Sequence, residues 1–391
     1  MYSTRRELIK IGVAGMFMPT MAFASGTEEK VGAFERWRRE FEASVPARME
    51  AAKVVGASFA ITSKSNAVHY ASSFGFADLK ANRKMVPQTP IHLASVSKLF
   101  TASALVQLFE RRGYDLHTDI NKFIDFPVKN PNHPRLAITA HQLITHTSSI
   151  SDEGYGEYSV EGDPVGSLSN FMKSYLVKGG SAYSPKTSFL KAKPGTKWDY
   201  SNVGAALAGY LVEAISKQDF AGYVAENILT PLRITNAHWY LREFAPNVLA
   251  KPYRIENGEY VELPQEGYPD VPAGMLRCSV TDLAKAIHAM LGLQREGTPI
   301  LSKAAAREML RRQVDRKIYP YQGLGWTEEE TSKRKVVGHT GSDNGASNMV
   351  ALTGDNSQAV IVLMNIDGTD ETSAFRAAIT EDLLAGAKLA G

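Results

Sequence analysis

The chain has 391 residues, 44% hydrophobic and 22% charged, and 44 lysines and arginines against 41 aspartates and glutamates leave a formal net charge of +3 at pH 7. That balance supplies no strong cationic field, which excludes nucleic acid as an expected partner. A single cysteine, Cys278, excludes an internal disulfide, so stability has to come from a hydrophobic core.

Residues 1–24 place Arg5 and Arg6 ahead of a short apolar run ending in Ala22-Phe23-Ala24, where a signal peptidase wants small residues. The order Thr4-Arg5-Arg6-Glu7-Leu8-Ile9-Lys10 resembles a bacterial twin-arginine signal, and the apolar run is too short for a firm membrane span. The expectation is a periplasmic or secreted protein with no stable span after cleavage. Removing the segment takes away three cations and one anion, lowering the formal charge from +3 to +1.

About 365 residues then remain, more than one core usually serves, so two lobes are expected. A helix over residues 31–50 is followed by two strand-like runs, 54–62 and 68–76, joined by the turn Ser63-Lys64-Ser65-Asn66. Next comes a helix opened by Ser95. Its Leu99, Ala102, Leu105, Val106 and Phe109 recur at spacings that bury one stripe, and Gly113 is its stop signal. From residue 116 to 272 helical patches alternate with loops rich in Gly, Pro and Asn, including a helix over 203–216. Ser279 then N-caps another helix. Apolar runs at 335–341, 345–354 and 357–368 read as strands, and a helix over 372–384 closes the chain. Strands at both ends with helices between predict an α/β (α+β) fold: one antiparallel sheet flanked by helices, built from 25–115 and 273–391, with 116–272 inserted as a mostly helical lobe.

Ser95-Val96-Ser97-Lys98 carries the chemistry. Helical spacing puts a hydroxyl and an amine on one face. A neutral serine needs a base beside it, and a lysine serves once burial or nearby positive charge lowers its pKa. Ser188 to Lys191 and Ser332 to Lys335 have the same four-residue spacing, but the first runs into a Pro-Gly turn and the second lies in a basic run; both read as solvated surface. Tyr200-Ser201-Asn202 follows Pro194-Gly195 and precedes a helix, where the Tyr200 hydroxyl can relay a proton. His339-Thr340-Gly341 ends a strand, where glycine admits close approach and backbone amides can face an oxyanion. The nine histidines form no zinc-binding spacing, and no glycine-rich phosphate loop follows an early strand, so neither metal nor cofactor is expected. Cys278 reads as a buried structural thiol.

In this order the three motifs resemble the signatures of the serine beta-lactamase and penicillin-binding superfamily, closest to its class C beta-lactamase-related esterase/D-aminopeptidase branch. Residues 143–150, 272–284 and 321–326 support the likeness, which runs from Trp37 to Leu384. The resemblance implies a beta-lactamase/transpeptidase-like fold and a covalent acyl-enzyme, with Ser95 as nucleophile, Lys98 as proton acceptor and Tyr200 as relay. Asn202 would contact Lys98 or the substrate amide, with His339, Thr340 and Gly341 aligning an extended small-molecule or peptide substrate. The backbone amides of Ser95 and Ser342 would form the oxyanion hole. Two positions depart from the pattern. His339 stands where beta-lactamases carry lysine, which shifts the expectation from a class C-like beta-lactamase toward an esterase, amidase or peptidase. Ser149 replaces the usual glycine of its motif. A non-catalytic peptide- or cell-wall-binding protein is the alternative of a different kind, and the natural acyl group, stereochemistry and oligomeric state stay open.

Overall fold

The computed structural model describes residues 22–156 and 158–390. The export segment expected at 1–24 lies outside that range, except for its last three residues, which open the first helix. No helix among the described residues is long and apolar enough to cross a membrane.

The two ends of the chain build one sheet. Its strands are β1 (Gly56–Ile61), β2 (Tyr70–Asp78), β3 (Arg83–Lys84), β4 (Thr327–Glu330), β5 (Lys335–Asp343), β6 (Ala346–Leu352) and β7 (Ala359–Met364). They run in the order β4-β5-β6-β7-β1-β2-β3, each neighbouring pair antiparallel. At the centre β1 lies against β7, with Phe59 opposite Val362 and Ala57 opposite Met364. Every residue of both strands is buried, so they read as continuous apolar runs rather than as an alternation. Side chains still alternate by face.

Ala57, Phe59, Ile61, Val360, Val362 and Met364 point into one core with Phe41 of helix α1 (Ala22–Ala51). Ala60, Ile361 and Leu363 point into the other, with Leu99, Phe100 and Leu105 of α2 (Lys98–Arg112). That second core continues through α3 (Asn202–Ser216) and α4 (Val280–Met290). The terminal helix α5 (Asp370–Leu389) returns to the first face with Phe375, Ile379 and Leu383.

The stripe predicted for α2 is too narrow. Residues Lys98 to Phe109 are all buried, because α2 is packed against α3, the turn at Val271–Ala273 and the short helices Phe220–Val224 and Lys303–Leu310. Each fully buried leucine or phenylalanine there contributes about 1.5–3 kcal/mol. The helix stops where expected: Gly113 takes a left-handed φ of 64° and its N–H returns to the Glu110 carbonyl. Ser279 likewise caps α4, its Oγ accepting from the Asp282 N–H.

Candidate active site

Ser95 sits in a short 3-10 turn, Ala94–Ser97, immediately before α2. Ala94 adopts a φ of 48°, a left-handed conformation disfavoured for a residue with a Cβ. Such strain persists only where surroundings impose it. Here β5 lies directly on the turn: a Cβ at Gly341 would collide with the Leu93 carbonyl and crowd Val96. Glycine at this position lets the third motif touch the first.

Lys98 is 4% exposed. Its ammonium donates to Ser95 Oγ at 3.0 Å, to Asn202 Oδ1 at 2.8 Å and to the Ala273 carbonyl at 2.6 Å. These acceptors satisfy its three donors and fix Nζ beside the nucleophile. The nitrogen also lies 4.9 Å from the Tyr200 ring centroid. The Tyr200 hydroxyl makes no hydrogen bond to Ser95 or Lys98; its ring packs against His146 with centroids 4.5 Å apart.

A network not visible in the sequence holds the second motif. Asp152 Oδ2 accepts from the Asn202 N–H at 2.6 Å, and Oδ1 accepts from Ser201 Oγ at 2.7 Å and the Val203 N–H at 3.3 Å. Ser201 Oγ in turn accepts from the Gly204 N–H at 2.8 Å, capping α3. The Ser201 N–H donates to His146 Nδ1 at 3.2 Å. A carboxylate at a helix N-terminus also complements the helix dipole. Desolvation nevertheless raises the Asp152 pKa, only partly opposed by these hydrogen bonds.

Ser149 explains its own departure. It has a φ of 64°, the conformation glycine takes without cost, and its Oγ accepts from Asn130 Nδ2 at 2.8 Å. Of the two look-alike serines, Ser332 is exposed. Ser188 corrects the reading as solvated surface: it is fully buried, its Oγ accepting from the Ser184 N–H at 3.0 Å to close a turn. Cys278 is buried and free.

A cleft of about 500 Å³ opens over the nucleophile, and of the expected residues its walls carry Ser95, Asn202 and Ser342. Two loops of the 116–272 region contribute, Tyr155 and Tyr158 from one and Glu266 from the other, with Tyr268 and Asp270 beyond. The loops are tied by a two-residue pairing of Val160 with Gly267 and Glu161 with Glu266. The Thr340 N–H donates to Glu329 Oε1 of β4, and amides two residues apart leave a strand on the same edge. The Ser342 N–H therefore emerges on that edge, on the strand that touches the Ser95 turn.

His339 is 3% exposed, with Nδ1 2.6 Å from the Thr340 carbonyl. Burial, reinforced by the Lys98 charge, pushes its pKa down to about 4. His146 is held neutral by the same causes, and His92 by burial with the Arg277 charge. The walls are acidic. Burial lifts Asp270 to about 6 and raises Asp343. Neither they nor Tyr155 and Tyr268 carry a motif signal; only the meeting of distant loops identifies them.

An antiparallel sheet covered by helices, with a serine-lysine pair at the mouth of a buried helix and two further motifs closing over it, defines the beta-lactamase/transpeptidase-like class. The family described as Beta-lactamase matches residues 41–384, and the chain belongs to it. Protein flp of Staphylococcus aureus (strain NCTC 8325 / PS 47) is 23% identical over 317 residues, 80% of this chain, which spans only 60% of that protein's length. Among solved structures, the octameric penicillin-binding protein homologue from Pyrococcus abyssi superposes with a TM-score of 0.69 at 25% identity, covering 88% of this chain and 76% of that one. The D-amino acid amidase from Ochrobactrum anthropi SV3 gives 0.69 at 18% identity, covering 90% and 98%. The superfamily thus reached contains penicillin-binding proteins, beta-lactamases, an amidase and other serine hydrolases.

Proposed function

We propose that the chain is a serine hydrolase that forms a covalent acyl-enzyme on Ser95 and acts on small esters, amides or peptides. The observation that carries this is the buried Lys98 ammonium 3.0 Å from Ser95 Oγ, held from two other sides. In the deprotonated state Lys98 takes the Ser95 proton as Oγ attacks the acyl carbonyl. The carbonyl electrons collect on an oxygen facing the Ser95 and Ser342 amides. Tyr200 passes the proton to the leaving group, the carbonyl re-forms, and the reverse relay lets water release the acid and restore Ser95.

The neutral His339 favours ester, amide or peptide substrates over beta-lactams, since it supplies no permanent cation for a beta-lactam carboxylate. Residues 1–24 support a periplasmic or secreted location.

The test incubates the mature protein and Ser95→Ala with a p-nitrophenyl acyl ester, D-Ala-p-nitroanilide and nitrocefin, following turnover and intact mass. Turnover and a covalent mass increase that both vanish in the variant are expected, with nitrocefin the poorest substrate. Fast nitrocefin turnover selects a beta-lactamase, and ligand binding without acylation selects a binding protein.

A further inference from the structure

An extended ligand joins a strand edge only through N–H and C=O groups that nothing else occupies. β4 covers β5 as far as Gly338, which lies opposite Thr327; past it β5 runs on to Asp343 with that edge open. A residue of an antiparallel strand sends its N–H and C=O to one side, and its neighbour sends both to the other. Thr340 and Ser342 thus offer theirs to the open edge, while His339 and Gly341 turn toward β6.

Thr340 is already occupied twice. Its N–H donates to the half-buried Glu329, whose Oε1 is 3.0 Å away. Its carbonyl lies 2.6 Å from His339 Nδ1, and since a carbonyl only accepts, Nδ1 carries the proton. Two side chains from different strands therefore close one backbone position. Ser342 differs: among the described residues no loop or side chain bonds to its N–H or its carbonyl. The room is divided in the same way. The cleft of about 500 Å³ takes Ser342, Asp343 and Asn344 into its walls but not Thr340, so it opens beyond Ser342 and away from the closed position.

One substrate residue exchanges both bonds with Ser342 only in the antiparallel sense. Its carbonyl oxygen then accepts from the Ser342 N–H, its acyl side runs into the cleft and its leaving group runs toward Thr340. That is the side of the Tyr200 relay, whose ring centroid is 6.4 Å from that of His339. We propose that Glu329 and His339 determine leaving-group length: by occupying Thr340 they limit β5 to pairing with one substrate residue, so the preferred leaving groups are ammonia, a small alcohol or a single residue rather than a peptide chain. This deepens the serine-hydrolase reading of the same site and rests on it. In a chain, the second residue beyond the scissile bond lies opposite Thr340, where its N–H and C=O meet groups already bonded, and polar groups covered without a partner are costly.

The experiment compares N-acetylalanyl-alanine amide with N-acetylalanyl-alanyl-alanine amide, in both enantiomers, with cleavage after the first alanine read by mass. The enzymes are the wild type, Glu329→Ala, which frees the Thr340 N–H, and Glu329→Gln, which keeps an acceptor oxygen for it. Each ratio of kcat/KM, long over short, is taken on one preparation, so a loss of folded enzyme cancels. In parallel, calorimetry measures the affinities of the same peptides for Ser95→Ala and for Ser95→Ala combined with Glu329→Ala, which needs no turnover. The expected ratio is no more than about twofold in the wild type and in Glu329→Gln, and about fivefold higher in Glu329→Ala, the worth of one regained backbone hydrogen bond. A wild type that already gains about fivefold from the added residue, a Glu329→Ala ratio equal to the wild type's, or a Glu329→Gln ratio equal to that of Glu329→Ala overturns the cap and leaves the hydrolase intact. Absence of cleavage of these peptides and of p-nitrophenyl acetate by the wild type overturns the hydrolase, and the affinity ratios then decide the cap by the same criteria.

Discussion

Asp152 gives the sharpest test of how the site is held together, because one side chain fixes three consecutive residues. In Asp152→Ala the Ser201 hydroxyl and the Asn202 and Val203 N–H groups lose their acceptor. A buried polar group left unpaired costs about 1–3 kcal/mol. The carboxylate's own desolvation, visible in its raised pKa, offsets part of that sum. The expected net loss is about 3–5 kcal/mol, a fall in Tm of about 4–7 °C for a chain of this size. Catalysis should suffer more than stability. Asn202 Oδ1 is one of the three acceptors that position Lys98, and a displacement near 1 Å at a reacting group costs roughly 100-fold. Asp152→Asn separates the two effects: it keeps the shape and one acceptor oxygen, so it should lose only about 1–2 kcal/mol while kcat/KM still falls at least tenfold. The assay is thermal unfolding followed by single-turnover acylation with a p-nitrophenyl ester. An alanine variant that keeps kcat/KM within threefold and an unchanged Tm would refute the reasoning.

Three further outcomes are expected. Lys98→Met removes the proton acceptor and should lower the acylation rate by about 100- to 10,000-fold, read as slower growth of the acyl-enzyme mass. Gly341→Ala should force β5 off the Ser95 turn, since the added methyl collides with the Leu93 carbonyl; acylation should fall at least tenfold and Tm by several degrees, and a fully active variant would contradict the close approach. Asp270→Asn should stabilise the protein with a definite pH dependence. The folded pKa of about 6 lies above the ordinary carboxylate value of 3.8, so the native state binds the proton more tightly and stability falls as pH rises through that window. The variant's advantage should be absent near pH 4 and reach about 3 kcal/mol at most above pH 7, measured as the Tm difference across pH; a constant difference would show that Asp270 is not the titrating group.

Much of the fold was legible because its signals are local. The helix from Ser95 and its glycine stop, the first hairpin and the apolar runs that became β5, β6 and β7 all follow from periodicity and turn chemistry. The edge strand β4 did not: Thr327 to Glu330 contains three glutamates, a composition poor in strand preference, and it forms through pairing with β5. For the site, the sequence supplied the residues that carry motifs. It could not supply Asp152, which is 50 positions from the Asn202 amide it holds, nor Asp270 and its partner Tyr155, 115 positions apart. No periodic pattern links such pairs; only closure of the loops over α2 brings them together. Ser188 was misread for the related reason that turn composition says nothing about what later covers a turn.

The pairing of β1 with β7 has a consequence for synthesis. The middle of the sheet joins segments about 300 positions apart, Phe59 opposite Val362, so a translating chain has no central pair until residues 359–364 emerge. Until then β1 lacks the strand that pairs with it at the centre of the sheet. A chain halted short of that point therefore presents β1 with one edge unpaired, open to pairing with another chain.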